Sequence, residues 1–256
     1  MDKHEVIFNS EKCVGCGLCV SDCVAGCVSL KDGKAETCGA GCILCGHCEA
    51  ICPCGAVTLT GFDDECIEFE EQTRLDPDTL LDAMRTRRSI RQFTDEKVSD
   101  EILDKIIEAG RLAPTGSNSQ GTGYIVLDKV LPEAEKHAVK MFRGAINIGK
   151  NFAKILKRLN IDDNFFFKKA PVAIVLTGSS VNASLAAENM AFMAEAYGLG
   201  VLYSGFFTIC ANNNPAIRKL LKMKHGEKAV TTLVIGYPAV KYRRTARRYN
   251  AKVRKL

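Results

Sequence analysis

The cysteines constrain this chain more than any other feature of its sequence. Twelve of the 13 cysteines lie between Cys13 and Cys66. The spacing C-x2-C-x2-C-x3-C occurs twice there, 29 residues apart, as Cys13, Cys16, Cys19, Cys23 and as Cys42, Cys45, Cys48, Cys52. Each copy predicts a cysteine loop, a short helix and a small strand, so the two copies predict a pseudo-twofold unit. Because the core of such a unit is tiny, bound metal must supply much of its folding energy.

Disulfides and structural zinc account less well for so many cysteines. Disulfide scaffolds belong to small exported chains, whereas the polar start Met1–Val6 does not resemble a signal peptide and the cysteine count is odd. Structural zinc sites usually take their four ligands as two pairs, whereas thiolates also suit iron–sulfur chemistry. No stretch approaches the roughly 18 apolar residues of a membrane span. We therefore expect a soluble cytoplasmic protein that binds metal and does not contact membranes.

The repeated spacing resembles that of bacterial ferredoxins with two 4Fe–4S clusters, over about residues 5–60. In those proteins the fourth cysteine of each run ligates the other cluster. The resemblance therefore implies one cluster on Cys13, Cys16, Cys19 and Cys52, and a second on Cys42, Cys45, Cys48 and Cys23. Five cysteines remain unassigned: Cys27, Cys38, Cys54, Cys66 and Cys210. They are either small buried apolar residues or, for Cys27 and Cys54, alternative cluster ligands.

Beyond an acidic connector over residues 61–76, helical and strand patterns alternate. Asp76 before Pro77, and Ser99 further on, predict the capped starts of two helices. Periodicity predicts further helices over 132–158 and Asn182–Tyr197, and strands over Gly123–Leu127, Pro171–Leu176 and Ala229–Ile235. This mixture predicts an α+β or three-layer α/β/α domain.

Four segments of this region carry arginine, polar and glycine residues in a fixed order: Arg87–Phe93, Ala113–Gln120, Gly198–Gly205 and Gly236–Arg244. Together they resemble the nitroreductase family of FMN enzymes, over about residues 78–250. The implied fold class is α+β, a small ferredoxin-like domain followed by a three-layer α/β/α nitroreductase-like domain. The expected boundaries are 1–60 for the two-cluster domain, 61–76 for an acidic linker and 77–256 for the FMN domain.

The nitroreductase resemblance implies an FMN site. Guanidinium groups bind the dianionic phosphate by charge-assisted hydrogen bonds. The resemblance implies that the phosphate, ribityl chain and ring edge of FMN are bound by Arg87, Arg88, Ser89, Arg91, Lys241 and Arg243, with Arg244 as an alternative to Arg243. Asn118 and Gln120 would hydrogen-bond the ring or ribityl chain, often from the partner subunit. The backbone of Tyr203, Ser204 and Gly205 would lie along one face of the flavin ring. Family members are intertwined homodimers, so we expect a homodimer. No catalytic side chain is assigned, because the flavin does the chemistry.

The charge is divided unevenly along the chain. Residues 1–76 carry 14 acidic and 5 basic residues, a net charge of −9, whereas residues 77–256 carry +14. This contrast suggests that the acidic part docks on the basic part. The last 16 residues hold eight basic residues and no acidic one. A nucleic-acid site is one interpretation of this tail, but phosphate ligands for FMN are favoured, so we expect no nucleic-acid partner.

The expected function is that of an FMN-dependent nitroreductase-type oxidoreductase. Electrons would pass between two 4Fe–4S clusters and FMN and reduce a small acceptor, of the nitroaromatic, quinone or enone class by family resemblance. NAD(P)H or an external ferredoxin is the candidate donor. The alternative is an electron carrier or redox sensor that serves a protein partner. A substrate lid over 131–169 would favour the enzyme; its phenylalanines, which could instead pack beneath a helical pair, are Phe142, Phe152, Phe165, Phe166 and Phe167.

Overall fold

A computed structural model describes residues 4–38, 41–148 and 160–256. The chain divides into two compact units. The cysteine-rich unit comprises Met1–Arg74 together with Gly116–Ser119, and the sheet unit comprises Leu75–Thr115 together with Gln120–Leu256. No helix among the described residues is long and apolar enough to cross a membrane.

The cysteine-rich unit consists of two similar halves. The first half holds β1 (Val6–Phe8), α1 (Leu18–Asp22) and β2 (Val28–Lys31), and the second holds β3 (Lys34–Thr37), α2 (His47–Ala50) and β4 (Val57–Leu59). Helices α1 and α2 begin 29 residues apart, and so do strands β2 and β4. Strand β1 pairs antiparallel with β4, and β2 pairs antiparallel with β3, so both pairings join one half to the other. The repeat in the sequence is therefore a repeat in the structure.

The core of the cysteine-rich unit is very small. Its buried cluster among the described residues consists of Cys13, Cys19, Val28, Ala35 and Ala56, and Cys27 and Val57 are buried as well. Three of these seven are cysteines and two are alanines, so little apolar surface is removed from water. A unit of this size usually depends on metal or disulfides for its stability.

The sheet unit contains six helices and four strands among the residues described. In chain order they are α3 (Pro77–Thr86), α4 (Asp100–Arg111), β5 (Gly123–Leu127), α5 (Leu131–Ile148), β6 (Val172–Thr177), α6 (Ser180–Ala196), β7 (Gly200–Tyr203), α7 (Gly205–Asn213), α8 (Pro215–Leu220) and β8 (Ala229–Gly236). Both predicted caps are present. Asp76 accepts a hydrogen bond from the backbone N–H of Thr79 at 2.8 Å, and Ser99 accepts one from that of Ile102 at 3.4 Å.

The four strands form one antiparallel sheet in the order β5-β6-β8-β7. Strand β6 is buried on both faces. Ala173 and Val175 belong to a core shared with α5, α7 and α8, whereas Ile174 and Leu176 belong to a second core shared with α4 and α6. Helices therefore cover both faces of the sheet, and the α+β prediction is confirmed for this unit.

The described phenylalanines of the candidate lid pack in a core. The part of the predicted helix 132–158 that the structure describes is α5 (Leu131–Ile148), and residues 149–159 lie outside the described part of the chain. Phe166 and Phe167 are fully buried, Phe142 is buried in the same core, and Phe165 packs against it. For these four side chains the structure shows packing rather than a lid; Phe152 lies outside the described residues.

Candidate functional site

The basic segment after α3 lies along the edge of the sheet. Ser89 forms a parallel bridge with Val201 of β7, and the N–H of Ile90 donates to the carbonyl of Val201 at 3.0 Å. Further on, the N–H of Thr94 donates to the carbonyl of Tyr237 at 2.9 Å, just after β8. The segment thus contacts two of the other three segments named above, Gly198–Gly205 and Gly236–Arg244, which are both more than 100 residues further along the chain.

The close approach at this edge depends on Gly200, and we expect Gly200→Ala to destabilise the protein. A Cβ there would lie 2.3 Å from Ile90 Cγ1 and 2.8 Å from Ile90 Cβ, so the basic segment must move away from β7. Overpacking of this kind costs about 1–3 kcal/mol, measurable by urea unfolding. The matched control is Gly144→Ala within α5, where a Cβ meets nothing within 4 Å. Equal stability of the two variants would contradict this close packing.

Arg88 lies next to the basic tail. Its guanidinium group is 5.5 Å from the ring centroid of Tyr242, an arrangement that attracts a cation to the ring. Lys241 and Arg243 flank Tyr242 in the chain, and both are exposed, as is Arg91. The contact between Arg88 and Tyr242 therefore brings together the basic segment and the basic tail, which lie at the two ends of the sheet unit.

Arg87 has a different environment from Arg88. Its Nη2 donates to Glu188 Oε1 of α6 at 2.8 Å, and its guanidinium group lies 5.4 Å from the ring centroid of Phe192. Burial raises the pKa of Glu195, two helical turns further along α6, to about 7. Arg87 thus already has a carboxylate partner and anchors the basic segment to α6. Glu188 was not among the predicted site residues, although a glutamate in a nearly apolar helix is a usable signal.

The segment Tyr203–Gly205 uses its hydroxyl groups internally. The Tyr203 hydroxyl donates to Glu188 Oε2 at 2.8 Å, and burial raises the pKa of Tyr203. Ser204 is buried, and its Oγ donates to the carbonyl of Phe166 at 3.0 Å. Gly205 is exposed and begins α7, where the first backbone N–H groups have no partner within the helix. The backbone N–H of Ser204 donates to the carbonyl of Thr232 at 2.8 Å, so the segment offers backbone N–H groups to a ligand from Gly205 onwards, at the start of α7.

Asn118 lies in the part of the loop that belongs to the cysteine-rich unit. Its Nδ2 donates to the carbonyls of Leu44 at 2.7 Å and Ile43 at 3.4 Å. Ser117 and Asn118 both have φ 50° and Gln120 has φ 46°, values that side-chain-bearing residues rarely adopt. Such strain, about 1–3 kcal/mol for each residue, is commonly found at functional sites. The Asn118 amide is thus engaged by protein carbonyls, whereas Gln120 is exposed, and their roles towards FMN stay predictions.

Two cavities in the cysteine-rich unit are lined by the eight cysteines of the repeat. The cysteines along the wall of the Cys13 cavity are Cys13, Cys16, Cys19, Cys52 and Cys54. Those along the wall of the Cys42 cavity are Cys42, Cys45, Cys48, Cys23 and Cys27. Each cavity thus combines three cysteines of one run with the fourth cysteine of the other run.

Backbone N–H groups point at several of these sulfur atoms. The N–H of Ala35 donates to Cys13 Sγ at 3.4 Å and lowers the pKa of the Cys13 thiol. In the second half of the repeat, Ala56 donates to Cys52 Sγ at 3.2 Å. Burial, in contrast, raises the pKa of Cys48 to about 11. Within the described ranges, no three His, Cys, Asp or Glu side chains converge on a point where a single metal ion would sit.

The remaining cysteines differ from one another. Cys210 is fully buried in the sheet unit, as expected for a small apolar residue. Cys38 and Cys66 are exposed, so that interpretation is wrong for these two.

Comparison with known proteins identifies relatives of the sheet unit. A family model described as the nitroreductase family matches residues 84–237. A Staphylococcus haemolyticus protein named NADPH-dependent oxidoreductase is 28% identical over 174 residues, which span 63% of this chain and 66% of that protein. A Bacillus subtilis protein named FMN reductase is 31% identical over 172 residues, or 62% of this chain and 66% of its own length. The chain thus spans about two thirds of the length of these two relatives.

Solved structures show the same fold. A nitroreductase with bound FMN from Bacteroides fragilis has a TM-score of 0.56 at 19% identity, covering 69% of this chain and 97% of that one. A second, from Desulfitobacterium hafniense and also with bound FMN, has a TM-score of 0.57 at 20% identity over the same shares. At this level of identity the likeness establishes the fold alone.

Proposed function

Because the chain belongs to the nitroreductase family, we propose that it is an FMN-dependent oxidoreductase that uses NAD(P)H or another electron donor. The names of the staphylococcal and Bacillus relatives support the reaction class, and the FMN in the two structural neighbours supports the cofactor. When bound, FMN supplies the electron-transfer chemistry. The residues of the chain bind this cofactor, orient it and shape access to it.

We assign the FMN phosphate to the cations around Arg88. A dianionic phosphate is bound best by charge-assisted hydrogen bonds from guanidinium and ammonium groups. Arg88 lies against Tyr242, and Lys241 and Arg243 on either side of Tyr242 are exposed and available to a ligand. Arg87 instead positions the segment, because Glu188 already binds its guanidinium group. The backbone of Tyr203–Gly205, next to the segment along β7, would face the flavin ring.

We further propose that the cysteine-rich unit holds two 4Fe–4S clusters. The observation that carries this proposal is the division of the cysteines between two cavities, three from one run and one from the other in each. That division is the ligand set of ferredoxins with two such clusters. Backbone N–H groups directed at Cys13 and Cys52 suit thiolate ligands, since hydrogen bonds to a thiolate favour the charged form.

The chemistry of the donor set also suits the proposed clusters. Thiolates are soft ligands that suit iron–sulfur chemistry, and four cysteines of the repeat line each cavity. Structural zinc, which thiolates also bind, is the alternative that metal analysis of the purified protein distinguishes.

The complete function we propose is electron transfer between a ferredoxin-like domain over 1–60 and an FMN domain over 77–256, joined by the linker 61–76. Covalent fusion keeps the two redox centres at a high effective concentration. The acceptor would be a small nitroaromatic, quinone or enone. Exposed apolar side chains support a homodimer, namely Val181 and Leu185 of α6 and Phe206 and Ile209 of α7.

Anaerobic purification tests this proposal directly. We expect a brown protein that contains iron, acid-labile sulfide and one FMN per chain, with a dimer mass by light scattering. Reduction with NADH, NADPH or reduced ferredoxin in parallel identifies the donor, and reoxidation by a nitroaromatic, a quinone and an enone identifies the acceptor class. Cys66→Ala, at an exposed cysteine outside both cavities, is the control for cysteine removal.

Each failure in this experiment has a separate meaning. A protein with FMN but only zinc would overturn the cluster proposal and leave the family assignment intact. A fully loaded protein whose flavin is reoxidised by no member of the panel would overturn the small acceptor in favour of a protein partner.

A further inference from the structure

Each cavity of the cysteine-rich unit is lined by one more cysteine than a cluster requires. Cys54 is the fifth cysteine of the Cys13 cavity, and Cys27 is the fifth of the Cys42 cavity. The repeat does not explain them, because its 29-residue register aligns Cys54 with Ala25 and Cys27 with Ala56. Each additional thiol is therefore a feature of one half only.

Cys54 lies next to the fourth ligand that we propose for the Cys13 cavity. Its Sγ is 3.8 Å from Cys52 Sγ. The chain turns between the two residues and the following strand, with the N–H of Gly55 donating to the carbonyl of Cys52 at 3.3 Å. The N–H of Ala56 donates to Cys52 Sγ at 3.2 Å, so the turn holds that sulfur in place. Both thiols consequently face the same cavity from neighbouring positions.

We propose that Cys54 is a reserve ligand for the cluster in the Cys13 cavity and takes the place of Cys52 when that thiolate is lost. This inference rests on the proposed cluster in that cavity. The exchange needs no oxidant or reductant: the iron–sulfur bond to Cys52 breaks, a bond to Cys54 forms, and the proton of the Cys54 thiol passes to the departing Cys52 thiolate. The separation of 3.8 Å means that a side-chain rotation and a small adjustment of the turn are enough.

The test compares iron and acid-labile sulfide in four anaerobically purified proteins. They are the native chain, Cys52→Ala, Cys52→Ala/Cys54→Ala, and the control Cys52→Ala/Cys66→Ala, in which the second cysteine removed is exposed and outside the cavity. We expect Cys52→Ala and the control to keep the native iron content. The variant without both Cys52 and Cys54 should lose about half of it, because one of two equal clusters is missing.

Other results have distinct meanings. If Cys52→Ala alone loses half of the iron, Cys54 does not replace it and the inference is overturned. If the native chain itself contains no iron, the proposed function fails before the variants are compared. FMN content, which depends on the sheet unit, reports whether each variant is otherwise folded.

A second measurement keeps the inference testable if Cys52→Ala is insoluble. Cys54→Ala retains all four proposed ligands, and its iron release to a chelator is followed by absorbance. A reserve ligand recaptures iron whenever the Cys52 bond opens, so Cys54→Ala should release about half of the iron several-fold faster than Cys66→Ala. Equal rates in the two variants would count against a role for Cys54.

Discussion

The double variant Lys241→Ala/Arg243→Ala is expected to lose its FMN during purification. A hydrogen bond to a charged group contributes about 1.5–3 kcal/mol, so removing two phosphate ligands should weaken FMN binding about 100-fold or more. Titration of the flavin-free protein with FMN, followed by fluorescence, measures the loss. Titration with riboflavin separates the causes, because riboflavin lacks the phosphate and its affinity should not change.

The tail provides its own control for this experiment. Lys252→Ala/Arg254→Ala removes the same charges from exposed positions further along the chain and should leave FMN affinity unchanged. An equal loss in both variants would indicate a general electrostatic effect instead of a phosphate site. If the first variant loses DNA binding and retains FMN, the nucleic-acid interpretation of the tail replaces ours.

Gly15→Ala is expected to prevent loading of the Cys13 cavity and to remove about half of the iron. Gly15 lies between Cys13 and Cys16 with φ +69°, and a Cβ there would lie 2.1 Å from the carbonyl oxygen of Gly33. Because that contact is with backbone, the cysteine loop itself must move, and the sulfur atoms that line the cavity move with it. Iron and sulfide analysis of the variant measures the effect.

The matched control for Gly15 shares its backbone conformation but not its contact. Gly26 has φ +63° and nothing within 4 Å of an added Cβ. In Gly26→Ala the only cost is therefore the free energy of placing an alanine in the left-handed conformation, about 1–2 kcal/mol. This variant should keep its iron. Equal iron loss in the two variants would mean that conformation, and not the approach of Gly33, determines the geometry of the loop.

Local signals in the sequence predicted the elements of the sheet unit well. The capping residues Asp76 and Ser99 each act within one helical turn, and the predicted buried strand Pro171–Leu176 is observed as β6. These features depend on neighbours in the chain, which is why a pattern reveals them. The cysteine repeat likewise predicted two structurally similar halves, because the helix and the strand that follow each cysteine loop recur after the same number of residues.

Contacts between distant residues could not be predicted in the same way. Arg87 and Glu188 are 101 residues apart, and nothing in either segment indicates that they form an ion pair. Asn118 donates hydrogen bonds to carbonyls 74 and 75 residues earlier in the chain. The nitroreductase resemblance had predicted only a hydrogen bond from Asn118 to the flavin ring or ribityl chain. The sequence was equally compatible with a lid or a core for the phenylalanines of 165–167. In the structure Phe166 and Phe167 are fully buried and Phe165 packs against the same core.

The crossed pairing of the two halves has a consequence for synthesis of the protein. Strand β1 needs β4, and the wall of the Cys13 cavity needs Cys52 from the far end of the repeat. When the ribosome has made only the first half, neither the strand pair nor the wall can be completed. Insertion of the cluster that we propose for this cavity would therefore have to wait until the whole repeat has left the exit tunnel.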